Sequence, residues 1–322
     1  RNAFQYFEKT IKSFIDFYGI RPAAVVSDMH PDCMSTVFSL EFSKKNGIVH
    51  VKTQHHFSHM LSVMAEHRHY RRSLGIIMDG TGYGEDGHIW GGEFLSADFH
   101  SYRRLGHLSY IKLPGGDLCA RQPFRTAISA LSGHLTPGQI NGLYRGFGSE
   151  GFLKMLEKGI NSPLSSGAGR LFDAAASILG ICHISTYDAE APMRLEAEAV
   201  KHRPESDYGH IMTEEAGLLS VDLLPALYAL FKDRKNPKAA ANFHLTFASA
   251  ICDAADRLAR REGLKDIILS GGVFQNTVLL ELALKKLQKK GFNVLMHENT
   301  AANDASICLG QAVHAAAVLQ KK

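Results

Sequence analysis

Apolar positions recur along this chain with two periods, and the switching between them predicts an α/β protein. Phe4, Phe7, Ile11, Phe14, Ile15 and Tyr18 fall on one stripe of a helix that Gly19 ends. Ala23–Ser27 then reads as a strand, 36–45 as a helix, Ile48–Val51 as a short strand, and a helix runs from His55 to about Glu66. Leu74–Met78 is an unbroken apolar run of strand length that ends at Asp79. Ile89–Leu95 reads as its returning partner, so the residues between them form a hairpin with a glycine-rich tip. Residues 121–164 are helical in pattern, and another helix opens after Gly167 and runs to Leu179. Residues 201–222 are polar and favour neither period. Phe243, Phe247, Ile251, Ala255 and Leu258 line a long helix over 240–261, which Gly263 stops. The strand Ile267–Leu269, a helix over 277–290, the strand Phe292–Met296 and a helix from about Asp304 close the order.

Composition narrows the class. With 322 residues the chain suits two lobes, divided near the turn Leu113–Asp117 into 1–118 and 119–322. Apolar residues make up 45% and charged ones 21%, as in ordinary soluble globular domains. The net charge of +4, from 36 basic and 32 acidic residues, is not the footprint of a dedicated nucleic-acid binder. The basic cluster His67–Arg72 reads as a solvated helix end. Cys33, Cys119, Cys182, Cys252 and Cys308 are scattered without a C-x-x-C pair, which excludes a zinc ribbon and suits a reducing cytoplasm. No segment is long and apolar enough to span a membrane, and no signal peptide is visible. A start at Arg1 instead of Met predicts a fragment of something longer.

The candidate chemistry gathers at strand ends. Six glycines lie among the fifteen residues 79–93, behind a carboxylate at the end of a strand. Glycines let backbone N–H groups approach an anion, Thr81 adds a hydroxyl, and Asp79 can take a cation. Ser270–Asn276 is a second turn of this type, with Gly271 and Gly272 before a helix N-terminus. It has neither Walker nor dinucleotide-binding spacing. Gly167-Ala-Gly169 opens a helix in which Asp173 sits one turn in, where an acid can bind ribose hydroxyls or simply favour the helix dipole. His55 and His59, four apart, share a helix face and can share one metal ion. Asp304 stands at a strand-to-helix junction, where position alone favours capping over metal ligation. Asp28 and Ser35, in the loop 28–36, read as helix-capping residues.

Two glycine turns from different halves facing one cleft resemble the actin, sugar-kinase and heat-shock-ATPase superfamily. There, nucleotide lies between two ribonuclease-H-like lobes. Asp-x-His-Pro-Asp-x-x-Ser-Thr (28–36), Gln-His-His-x-x-His (54–59), the 79–93 motif, Leu-Pro-Gly-Gly-Asp (113–117), Gly-x-Gly-Arg-x-Phe-Asp-Ala (167–174) and Ser-Gly-Gly-Val-Phe-Gln-Asn (270–276) occur in one order. Together they resemble the C-terminal carbamoyltransferase domain of the hydrogenase maturation family HypF, over nearly the whole chain. The resemblance implies carbamoyl transfer from carbamoyl-adenylate to the terminal cysteine of HypE, on the way to the cyanide ligands of nickel–iron hydrogenase. It implies catalytic roles for His55, His59 and Asp79, and a divalent metal on these three with Asp304. It places ATP or carbamoyl-adenylate, accompanied by magnesium, on Gly80, Thr81, Gly82, Gly169, Asp173, Gly271, Gly272 and Asn276. The donor set suits iron, zinc or manganese better than calcium. The adenylate-forming domains upstream in the family are expected as partners and sources of the activated carbamoyl group.

Two segments depart from the family pattern. Residues 188–196 read Asp-Ala-Glu-Ala-Pro-Met-Arg-Leu-Glu where the family has Glu-Gly-Gln-Ala-Ala-Met-Glu-Leu-Glu, and Ala305-Ser306 stand where glycines are usual. Three other activities share parts of the pattern. A tRNA threonylcarbamoyl transferase would need a basic surface. A small-molecule O-carbamoyltransferase would be a relative, and a non-catalytic module that closes on ATP to grip a partner would keep only the nucleotide site.

Overall fold

The computed structural model describes residues 2–320, and the two periods become eleven strands and thirteen α-helices among them. The chain opens with α1 (Asn2–Tyr18), β1 (Ala24–Asp28), α2 (Met34–Asn46), β2 (Val49–Thr53) and α3 (His55–Glu66). The hairpin β3 (Ser73–Tyr83) and β4 (Ile89–Ala97) follows, then β5 (Tyr102–Leu108) and β6 (Ile111–Lys112). After the short α4 (Leu118–Arg121), three helices fill the stretch read as helical: α5 (Pro123–Leu131), α6 (Pro137–Leu143) and α7 (Ser149–Lys158). Next come β7 (Leu164–Ser165), α8 (Ala168–Ile178) and α9 (Glu190–Ala199). The polar stretch without a period is a hairpin, β8 (Ile211–Glu215) and β9 (Leu218–Asp222), whose first strand is mostly exposed. The chain closes with α10 (Leu224–Lys232), α11 (Ala239–Glu262), β10 (Asp266–Ser270), α12 (Thr277–Lys289), β11 (Asn293–Met296) and α13 (Ile307–Gln320). Short 3₁₀ turns at Gly272–Gln275 and Asp304–Ser306 precede α12 and α13.

β1 and β2 form a small parallel sheet. The large sheet has nine strands, with the path β11-β10-β3-β4-β5-β9-β8 and β6 and β7 to one side. β10 runs parallel to β3, so the division drawn after residue 118 passes through one sheet.

Alternation along β3 explains what covers each face. Leu74, Ile76 and Met78 face a core shared with Phe172 of α8 and Phe243 and Phe247 of α11. Ile77 faces the other way, onto Phe57, Met60, Leu61, Val63 and Met64 of α3. Five such buried side chains, at roughly 2 kcal/mol each, hold α3 to the sheet by at most about 10 kcal/mol. The approach is close at Gly75, where a Cβ would stand 2.6 Å from Met60 Sδ. On its outer side α3 meets α13, and a Cβ on Gly310 would stand 1.9 Å from the Ser58 carbonyl oxygen.

Candidate metal and nucleotide site

The period of two that turns Gly75 and Ile77 toward α3 turns Asp79 the same way. After Met78 the β3–β4 ladder loses register, and it resumes at Gly82 opposite Trp90. Asp79, Gly80 and Thr81 therefore lie in an irregularity within the strand, not at the hairpin tip as the spacing predicts; bulges of this kind re-aim side chains beside active sites. The tip itself is Gly84–His88, closed by a Gly84 N–H to His88 carbonyl bond of 3.0 Å. Gly82 is where α3 comes closest, since a Cβ there would lie 2.5 Å from His56 Cε1 and 3.0 Å from His55 Cδ2.

Four donors from three distant segments converge at this point. His55 Nε2 lies 3.3 Å from Asp79 Oδ2 and 3.6 Å from Asp304 Oδ1. His59 Nε2 lies 3.3 Å from Asp304 Oδ1 and 3.6 Å from Asp79 Oδ2. One donor atom from each of the four lies within 4.8 Å of the others. Capping at 303–306 is done by Asn303, whose side chain accepts from Ala305 N–H at 3.1 Å. Asp304 is thus free to face the histidines, against the reading from position alone.

The donor set fits a cation on two structural grounds. His59 is fully buried, and its Nε2, although 3.3 Å from Asp304 Oδ1, makes no well-directed hydrogen bond, an arrangement that is costly unless something else is ligated there. His55 gives its other nitrogen, Nδ1, to Asp28 Oδ2 at 2.8 Å, the carboxylate support usual behind a metal-binding imidazole. Electrostatics agree. Burial disfavours charge on His55, but Asp28, Asp304 and Asp79 outweigh it and raise its pKa well above the ordinary value. Burial likewise disfavours charge on Asp79, and His55 and His59 reverse that, holding the carboxylate well below its usual range.

The second glycine turn is adjacent. Gly271, at φ +102°, lies against the end of β3, where a Cβ would stand 2.2 Å from the Met78 oxygen. The Gly272 N–H points to Asp79 Oδ1 at 3.3 Å. Asn276 is committed to its own surroundings: Oδ1 caps α12 by accepting from Leu279 N–H, and Nδ2 meets buried His244, each at 2.9 Å. Glu196 adds to this corner by accepting from the Thr277 N–H and hydroxyl, both at 2.7 Å. Gly167 and Gly169 let the first turn of α8 press against Gly80, since a Cβ on Gly169 would stand 3.1 Å from Gly80 Cα. Thr81 is exposed, whereas Asp173 is 2% exposed. Arg170 Nε stands 3.0 Å from the Asp173 carboxylate. Burial pushes the Asp173 pKa up to about 6, Arg170 opposing and Asp188 adding to the rise.

Other expectations resolve nearby. Asp28 and Ser35 do not cap α2, whose N-cap is Cys33 without a side-chain bond. Pro192 falls in the first turn of α9, where a missing N–H costs little, and Arg194 pairs with Glu190 at 3.4 Å. Arg71 and Arg72 of the basic cluster pair with Asp266 and Asp98. A cavity of about 840 Å³ beside β6, α5, α6 and α7 is lined by none of the candidate metal or nucleotide residues. The sequence reading missed Asp28 as a site residue; the available signal was its place at the end of a strand, the same place Asp79 holds.

Comparison with known proteins covers almost the whole chain. Residues 1–66 match the family model for the HypF Kae1-like domain, and residues 75–311 match that for the carbamoyltransferase Kae1-like domain, second subdomain. The chain is 34% identical to carbamoyltransferase HypF2 of Cupriavidus necator over 91% of its own length and 39% of that protein's. It is 35% identical to a carbamoyltransferase HypF homolog of the same organism, over 95% of this chain and 80% of the relative. Among solved structures it resembles full-length HypF in a phosphate- and nucleotide-bound form, with a TM-score of 0.92 and 31% identity, over 99% of this chain and 42% of that one. HypF of T. kodakarensis gives 0.86 at 27% identity. The two-lobed α/β fold read from the sequence is the fold of these structures. The chain spans about two fifths of the length of the longer relatives.

Proposed function

The chain belongs to the HypF carbamoyltransferase family, and from that premise we propose that it passes a carbamoyl group from carbamoyl-adenylate to the C-terminal cysteine of HypE. The thiocarboxamide so formed would lead to the cyanide ligands of nickel–iron hydrogenase. The observation that carries this reading is the convergence of His55, His59, Asp79 and Asp304, with the buried Nε2 of His59 among them. The activated carbamoyl group would come from adenylate-forming domains such as the longer relatives have room for. No helix of the described residues is long and apolar enough to cross a membrane.

The four residues would hold a divalent iron, zinc or manganese ion. When bound, it would supply positive charge to offset that of the departing phosphate. Carbamoyl-adenylate or ATP, with magnesium, would lie between the 80–82 and 271–276 segments. Gly80, Thr81, Gly82, Gly271 and Gly272 would offer backbone and hydroxyl donors, with Asn276 anchoring the second turn. Gly169 and Asp173 would flank the nucleoside, Asp173 through its pair with Arg170. The incoming thiolate would form the C–S bond as the carbamoyl C–O bond to phosphate breaks and AMP leaves. Two of the chain's own buried thiols are unsuited to this role: burial pushes Cys119 up to about 11 and Cys252 up to about 12.

The test is intact mass spectrometry of HypE after incubation with this chain and supplied carbamoyl-adenylate. A carbamoyl-sized gain on the terminal cysteine that is lost in His55→Ala is the expected result. No gain with metal and nucleotide both bound would refute autonomous transfer and favour a module that grips a partner without chemistry.

A further inference from the structure

α3 carries both histidines, and side chains at its two ends reach the two segments that deliver the carboxylates. At its start stands Gln54, 1% exposed. Helix N-caps are ordinarily Ser, Thr, Asp or Asn, whose short side chains put an oxygen on the free N–H groups. Gln54 makes that bond with Oε1, accepting from Phe57 N–H at 2.9 Å. Its longer arm leaves the amide nitrogen for other work. Nε2 donates to the Tyr83 carbonyl at 3.1 Å and meets His56 Nδ1 at 3.1 Å. Tyr83 directly follows the Asp79–Gly82 segment, so one amide ties the start of the histidine helix to the irregularity that aims Asp79.

Glu66 does the corresponding thing at the far end. Oε1 accepts from the Glu298 N–H at 2.9 Å, and from the Asn299 N–H and its side-chain amide. Oε2 accepts from the Thr300 hydroxyl at 2.5 Å. These donors begin the loop that runs from β11 to Asn303 and Asp304. His297, in the same loop, binds Thr300 through Nδ1 at 2.7 Å and meets Ser270 through Nε2 at 2.9 Å. Burial opposes charge on Glu66, but these donors outweigh it and hold its pKa down to about 2. Glu66 is seven residues beyond His59, about 10 Å along the helix, too far to touch an ion held there.

The apolar face of α3 already secures the helix to the sheet, so these polar ties act on something besides attachment. We propose that Gln54 and Glu66 are positioning residues that set the spacing between the two histidines of α3 and the carboxylates of Asp79 and Asp304. The inference rests on the metal reading of the site given above.

The experiment titrates Co²⁺, whose visible bands report its coordination, into chelator-stripped wild-type chain and into Gln54→Ser, Glu66→Ala and Glu66→Gln. Thermal unfolding of each metal-free form runs alongside. Serine keeps a capping oxygen but cannot reach Tyr83, and glutamine keeps the shape of Glu66 without its charge. Gln54→Ser and Glu66→Ala are expected to bind Co²⁺ about 10–100-fold more weakly, with altered bands; Glu66→Gln is expected to lose less. A role in stability alone would lower the unfolding temperature of the metal-free forms and leave affinity and bands unchanged, and that result overturns the proposal. Should Glu66→Ala not fold, wild-type affinity in both Gln54→Ser and Glu66→Gln overturns it equally. A wild-type chain that binds no Co²⁺ would instead refute the metal reading, and the inference with it.

Discussion

A methyl group on Gly82 has no room, because His56 and His55 already occupy the space a Cβ would take. Gly82→Ala is therefore expected to displace the histidine helix and weaken metal binding, as read by competition against a chromophoric chelator. Unchanged affinity would mean that α3 yields without disturbing the site. Asp28→Ala tests the support behind His55, and a 10–100-fold loss of affinity is expected in the same assay; no loss would deny Asp28 an orienting role. Asp173 yields a pH prediction. Its folded pKa is about 6, against 3.8 for an ordinary aspartate. Between those values the folded state keeps a proton that the unfolded chain releases, so stability falls as pH rises through that window. Urea midpoints of Asp173→Asn measured across the window should show a flatter fall than wild type, and parallel curves would contradict this. At this scale the sequence made the glycines and the acid–histidine set visible, but not why each glycine is there. Gly82 makes way for imidazoles, whereas Gly169 makes way for the backbone of Gly80, and both look like phosphate-loop glycines from sequence alone.

The helices and strands that were legible from their periods were so because burial of one face dictates the period; the hairpin β8–β9, with its first strand mostly exposed, carries no such signal. What the period could not show was the irregularity in β3, since a strand that slips register for three residues still alternates on either side of the slip. It also could not show that Asn303 would do the capping that frees Asp304. The contact between α13 and α3 is an element-scale feature of the same kind. Gly310 lets α13 cross α3 at the Ser58 carbonyl, and α13 begins just after Asp304. Gly310→Ala is expected to push the helices apart, lowering the unfolding temperature and metal affinity together. A loss of stability with affinity intact would show that the 303–306 turn is held independently of α13.

In the whole molecule, the candidate site joins α3, β3 and the turn before α13, segments that lie far apart in the chain. A ligand that binds the folded state alone stabilises it by mass action, by about 2.7 kcal/mol at one hundred times its Kd. Adding zinc or ferrous iron to the stripped protein should therefore raise its unfolding temperature, and Asp304→Ala should remove most of that rise. An equal rise in the variant would place the cation elsewhere.

The sequence by itself determined the α/β class, the family, the two glycine turns and the histidine pair, because each is a local pattern of spacing and residue type. Only the tertiary structure decided that β10 lies beside β3, that Asp79 turns toward α3, that Asp28 meets His55, and that Gln54 and Glu66 reach Tyr83 and the loop after β11. These are pairings between residues far apart in the chain. They are settled by which faces bury against one another and which polar groups must then find partners, and no local pattern carries that information.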